Sequence, residues 1–194
     1  MSVQIRRFQF SRNDFARMRQ SGIFGEDDRV ELIDGEVVQM SAVGSRHVAI
    51  VNRLTALLTS QLSDRVIVSV QNRVVLNDFT EPQPDLVVLR PRDDFYADSL
   101  AGPEDSLLVI EVADSSLEYD RDEKIPRYGQ MRIPEAWFVD INGQAVVRYS
   151  EPAEAGYQEV REFVTGTELQ SVAIGSLRIA IDTLFHIAGS SSRG

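Results

Sequence analysis

Pro84-Asp-Leu-Val-Val-Leu89 and Leu107-Leu-Val-Ile-Glu-Val-Ala113 decide the fold. Each is a short apolar run rich in β-branched residues and bounded by turn-forming sequence, which reads as a strand buried on both faces. Pro82 and Pro84 cannot donate to a ladder, so the first strand begins only at Asp85. Each strand carries one acid: Asp85 opens the first, and Glu111 sits near the end of the second. If the two pair antiparallel, the start of one lies beside the end of the other. Both carboxylates then meet at one edge of the sheet, with Glu111 on the face of Leu107 and Val109.

Working outward, Ser11-Arg-Asn-Asp14 has the form of a capping box with Asp in the last place, and Phe15, Met18 and Ile23 make a short amphipathic helix. Arg29-Val-Glu-Leu-Ile-Asp-Gly-Glu-Val-Val-Gln-Met40 is a hairpin turning at Asp34-Gly35. Ser45 to Leu62 is the clearest helix, with Ile50, Val51, Leu54, Leu57, Leu58 and Leu62 at helical spacing. Val66 to Val70 and Val74 to Leu76 read as strands, and Arg90 to Pro103 as a loop. Tyr119 to Met131 reads as a helix entered near Asp120 or Asp122, because Pro126 belongs in a first turn. Ala136 to Asp140, Ala145 to Tyr149 and Tyr157 to Phe163 continue as strands. Leu177 to Ile187 mixes strand and helix signals. The pattern predicts one mixed α/β (α+β) domain over residues 1–188, a central sheet flanked by helices, with a frayed tail over 189–194.

The 194 residues carry a net charge of −10, with 43% hydrophobic content. That balance argues against a broad basic face for nucleic acid, but not against a local cleft that meets phosphate through a metal ion. No apolar run reaches the roughly 18–20 residues of a membrane span. There is no apolar leader after a basic start, and no cysteine for a disulfide, a thiolate site or a nucleophile. Together these features lead us to expect a cytoplasmic protein.

Of the 20 basic residues, 19 are arginine and one, Lys124, is lysine. Lysine brings a compact ammonium where arginine brings a planar fork. Lys124 follows Glu111 by 13 residues, and a strand–loop–helix connection of that length can fold it back toward the two acids. Two carboxylates within about 5 Å repel by roughly 3 kcal/mol at an effective dielectric of 20. A shared proton, a metal ion or a nearby lysine would offset this. On the residues alone, solvated strand ends and an exposed lysine remain the other reading. An acid embedded in Leu-Val-Ile-Glu-Val-Ala weighs against it, because charged residues are rarely buried unpaired.

Pro84-Asp85 followed by Glu111-Val112-Ala113 resembles the pattern of the PD-(D/E)XK nuclease superfamily. Ala113 occupies the usual lysine slot, and Lys124 looks like a lysine migrated to the next helix. More specifically, the chain resembles the Uma2 family of restriction endonucleases. The matching stretches are Glu31-Leu-Ile-Asp-Gly-Glu36, His47 at a helix start, Pro84-Asp-Leu-Val-Val88, Glu111-Val-Ala-Asp-Ser-Ser116, Asp120-Arg-Asp-Glu-Lys124 with Tyr128, and Ile133-Pro-Glu-Ala-Trp-Phe-Val-Asp140. They span roughly residues 10 to 185. The chain departs from the family at Ala113-Asp114-Ser115, where a Leu-Ser-Pro type segment is commoner, and at Ala136, where an aromatic is common.

The resemblance implies a restriction-endonuclease-like fold and a metal-dependent endonuclease acting on DNA. Asp85, Glu111 and the backbone carbonyl of Val112 would hold magnesium, with manganese able to substitute. Lys124 would position or deprotonate the attacking water, or stabilise charge on phosphorus. Glu31 would be a third acid at the site, and His47 a phosphate or water contact, where a structural reading makes it a satisfied core histidine. A homodimer is expected, with the strands from Ala145 to Phe163 as a natural pairing edge.

Other residues read as structural. Gln71 makes a hydrogen bond across the sheet, Tyr128 packs under Trp137, and His186 sits in the terminal segment. Asp114, Glu118, Asp120, Asp122 and Glu123 form a solvated helix start. Arg46, Arg73, Arg90, Arg92 and Arg121 are the candidates for phosphate contact. The rival to an enzyme is a catalytically weak or inactive nuclease-fold module for dimerisation or regulation. A hydrolase of another phosphodiester or nucleotide is a third reading, although no Gly-rich phosphate loop is present.

Overall fold

The computed structural model describes residues 7–25, 28–114 and 117–185. The expected tail over 189–194, together with His186, Ser115 and Ser116, lies outside them. In chain order the elements are α1 (Arg12–Gln20), β1 (Val30–Ile33), β2 (Glu36–Gln39), α2 (Ser45–Leu62), β3 (Ile67–Val70), β4 (Leu86–Leu89) and β5 (Ser106–Ala113). A helical crossover follows: α3 (Leu117–Tyr119), a π turn (Asp120–Lys124) and α4 (Ile125–Gln130). Then come β6 (Glu135–Asp140), β7 (Ala145–Ala153), β8 (Gly156–Val164), β9 (Glu168–Gln170), β10 (Arg178–Ala180) and α5 (Asp182–Phe185).

The mixed α/β architecture is the one expected. A six-stranded sheet has the order β3-β4-β5-β6-β7-β8, and β1-β2 and β9-β10 form separate hairpins. Neighbours in the main sheet are antiparallel, except that β5 and β6 run parallel. A parallel pair needs a crossover, and the α3–π–α4 run supplies it. Odd and even residues of the central strands face two different cores. Leu86, Val88, Leu108, Ile110 and Val112 pack with Ile50, Leu54 and Leu58 of α2. Val87, Leu89, Val109 and Ala113 pack with Ile125 and Tyr128 of α4. One helix thus covers each face of the sheet.

Two expectations are corrected. Val74 to Leu76 is not a strand. Its N–H groups bond to the Pro82, Ala101 and Thr80 carbonyls instead of a ladder partner. Pro126 does sit in the first turn of α4, but the helical crossover is entered at Leu117 and not near Asp120 or Asp122. The Ile125 N–H reaches back five residues to the Asp120 carbonyl, so the helix widens into a π turn immediately before a residue that has no N–H to give.

Candidate active site

β4 and β5 pair in the register Leu86 with Ile110 and Val87 with Val109, which brings Asp85 level with the end of β5. The ladder does not continue past Leu86 by backbone alone. The Val112 N–H donates 2.9 Å to Asp85 Oδ2, so a side-chain carboxylate takes the place of a backbone acceptor. His47, in the first turn of α2, places Nε2 3.0 Å from the same oxygen. Gln71 Nε2 donates to Asp85 Oδ1 at 3.3 Å. Gln71 therefore does more than bridge the sheet: it holds a site carboxylate.

Glu111 lies on the face covered by α4. Its Oε1 accepts from Tyr128 Oη at 2.6 Å and from Lys124 Nζ at 2.8 Å. Lys124 Nζ also lies 3.3 Å from Glu31 Oε2 and 3.8 Å from Asp120 Oδ1. The expected convergence of ammonium and acid is present, and it is fully internal, with Lys124 and Glu31 1% exposed, Glu111 2% and Asp120 8%. Two structural readings are corrected here. Asp120 is buried beside Lys124, not part of a solvated helix start. Tyr128 packs in the α4 core while Trp137 packs in the α2 core, so the tyrosine orients Glu111 and does not lie under the tryptophan.

Glu31 reaches this place from the β1–β2 hairpin. That hairpin is fastened by a bridge between Leu32 and Glu81 and by Arg127, whose Nη2 lies 2.6 Å from Asp34 Oδ2 at the turn. The Gln83 N–H donates to Glu31 Oε2 at 3.1 Å and fixes its carboxylate.

Four carboxylates (Glu31, Asp85, Glu111 and Asp120) thus gather near one lysine, and the electrostatics follow. Burial pushes Glu111 up to about 8, helped by Asp120, Asp85 and Glu31 and opposed by Lys124. Burial pushes Asp85 up as well, but His47, the Val112 N–H and Lys124 outweigh it and hold that carboxyl below its ordinary value. For Lys124 burial works downward, and Glu111, Glu31 and Asp120 overcome it and raise its pKa. The site holds negative charge that one ammonium does not neutralise.

These residues wall a cleft of about 880 Å³ that runs between the hairpin, the start of α2 and the crossover. None of Arg46, Arg73, Arg90, Arg92 and Arg121 lines it. Arg46 pairs with Asp114, Arg73 with Glu81, Arg92 with Asp94 and Arg121 with Asp122, while Arg90 bonds to the Glu104 carbonyl. The arginine on the cleft wall is Arg29, which the sequence reading passed over. The available signal was its spacing: Arg29 stands two residues before Glu31 and so projects to the same side of β1.

A family model described as "Putative restriction endonuclease", Uma2, matches residues 12–182. The chain belongs to the Uma2 family. Among solved structures, a crystal structure from Anabaena variabilis ATCC 29413, described as a "putative nuclease belonging to DUF820", superposes with a TM-score of 0.75 at 18% identity. The match covers 91% of this chain and 97% of that one, and it shows a common fold. No curated protein matches this sequence.

Among the described residues of this Uma2 chain, no three His, Cys, Asp or Glu side chains form a group that could hold a metal ion. The oxygen donors Asp85, Glu111 and the Val112 backbone nevertheless suit a hard divalent ion. Magnesium at phosphate sites takes one or two carboxylates and completes its shell with water and substrate oxygens, and does not need an all-protein cage.

Proposed function

We propose that this Uma2 chain is a magnesium-dependent endonuclease that hydrolyses phosphodiester bonds in DNA. The observation that supports it best is the meeting of Asp85, Glu111 and Lys124 at one sheet edge within a cleft of a nuclease-like fold. Asp85, Glu111 and the Val112 carbonyl would hold the ion. A bound magnesium ion supplies Lewis-acid polarisation of a phosphate oxygen and a bound water of lowered pKa. The chain's own residues do the rest. His47, Gln71 and the Val112 N–H fix the Asp85 carboxylate in one orientation. Tyr128 and Lys124 do the same for Glu111, and Glu31 keeps the ammonium on the cleft wall. There Lys124 stabilises the charge that builds on the phosphoryl oxygens. No covalent intermediate is required.

The test is cleavage of supercoiled plasmid by purified protein. Magnesium or manganese should switch cleavage on, EDTA should abolish it, and Asp85→Ala or Glu111→Ala should lower it at least about 100-fold. Cleavage indifferent to both substitutions, or divalent binding in calorimetry that does not depend on them, overturns the assignment. A folded wild type that neither binds nor cuts DNA would point to the non-enzymatic module instead.

A further inference from the structure

We infer that Arg29 is a positioning residue that anchors a phosphate of the nucleic-acid strand lying in the cleft, next to the one that Asp85 and Glu111 address. The inference rests on the nuclease reading and deepens it by naming where the strand is gripped.

Charge makes the case first. Among the described residues the cleft is lined by six carboxylates (Glu31, Asp85, Glu111, Asp114, Glu118 and Asp120) and by two fixed cations, Arg29 and Lys124. Lys124 is committed to Glu111 and Glu31. Among the described residues Arg29 has no carboxylate partner, and its one hydrogen bond runs from Nη1 to the Ser41 carbonyl at 3.2 Å. Most of its five donors thus have no partner among the described residues, in a planar fork that matches phosphate. An arginine without a carboxylate in so acidic a surround suits a ligand that brings its own negative charge.

Position makes the case next. Arg29 and Glu31 lie on one side of the hairpin, about 7 Å apart along the backbone, and both line the cleft together with Lys124. The Ser41 contact ties Arg29 to the segment that leads into α2, whose first turn carries His47. Two buried polar atoms of other cleft-lining residues, His47 Nδ1 in α2 and Tyr119 Oη in α3, have no hydrogen-bond partner among the described residues. Arg29 and Tyr119 therefore bring donor capacity to the cleft that the described residues do not use. A phosphodiester supplies acceptors for it.

The probe is a fluorescein-labelled duplex oligonucleotide, titrated with calcium replacing magnesium to prevent cutting, at several salt concentrations. Arg29→Gln should bind about tenfold more weakly at low salt, and its plot of log K against log salt should be shallower by about one contact. Arg29→Lys keeps the charge and should keep the slope. Arg92→Gln, whose arginine pairs with Asp94 outside the cleft, should change neither. A merely structural arginine would lower the melting temperature and leave the slope alone. If Arg29→Gln keeps wild-type affinity and slope while wild type binds and cuts, the Arg29 inference is overturned and the nuclease reading stands. If wild type neither binds with calcium nor cuts with magnesium or manganese, both are overturned.

Discussion

Lys124 occupies a position that arginine cannot fill by charge alone. Its Nζ fits between Glu111 Oε1 and Glu31 Oε2 with the whole side chain inside the protein. A guanidinium is larger and planar, and it would displace one of the two acids. Lys124→Arg should therefore lower cleavage at least about 100-fold while the protein stays folded, as plasmid nicking and circular dichroism would show. Lys124→Met removes the ammonium and leaves buried carboxylates unpaired, so it should destabilise by about 3 kcal/mol at pH 8 in urea titration. The cost should shrink at pH 6, where Glu111 takes up a proton instead.

Glu111 supplies the pH test. Folding lifts its carboxyl to about 8 from an ordinary value near 4.3 in the unfolded chain. The folded state thus binds this proton more tightly. The stabilisation is complete below about pH 4.3 and is lost as pH rises toward 8. Glu111→Gln lacks the titration. In EDTA, the stability of wild type minus that of Glu111→Gln should decline from pH 5 to 8 in thermal melts. A flat difference would show that Lys124 keeps Glu111 ionised throughout.

At the scale of elements, the π turn aims the lysine. It ends at Lys124, two residues before Pro126, which offers no N–H and whose ring would crowd the Asp122 carbonyl in a regular helix. Pro126→Ala restores a donor and permits an α-helical register from Leu117 onward, which would rotate Lys124 away from Glu111. Cleavage should fall at least about tenfold while stability changes by about 1 kcal/mol or less, a split that parallel activity and urea measurements would resolve. Gly129 limits how far the helix can adjust, because an added Cβ there would collide with the Gly156 backbone.

The same elements show what sequence can reveal. Two apolar runs and their prolines specify β4 and β5, and strand parity then predicts that Asp85 and Glu111 share an edge. Lys124 stands out by composition. The π turn does not, because proline statistics favour a first turn and only tertiary packing of Ile125 and Tyr128 holds the helix on both sides of Pro126. Gln71 is also hidden, and the spacing of Arg29 to Glu31 tells its side of the hairpin but not that this side meets the cleft. Gln71 has positive φ just past β3, and Arg29 enters the cleft only because the hairpin folds over the sheet. Neither the backbone conformation at Gln71 nor the folding of the hairpin over the sheet has a local sequence signature.

At the scale of the molecule, net charge sets the order of binding. A chain with a net charge of −10 and a cleft of six carboxylates repels a polyanion, at long range over roughly 8–10 Å of screening and at contact inside the cleft. A divalent ion on Asp85 and Glu111 would offset this charge where, on the proposed function, the scissile phosphate would sit. The metal should therefore bind first, and DNA affinity should depend on it. Without DNA, saturating magnesium or calcium should raise the melting temperature by mass action, about 2.7 kcal/mol of stabilisation at 100 times Kd, and Asp85→Ala should erase that shift. With DNA, fluorescence anisotropy should show essentially no binding in EDTA at 150 mM salt and clear binding when calcium is added. Lowering the salt in EDTA should not restore binding, because weaker screening strengthens the repulsion as well as the attraction to Arg29. Strong metal-free binding at low salt would mean that DNA meets a basic surface elsewhere on the protein, and the acidic cleft would lose its claim to the substrate.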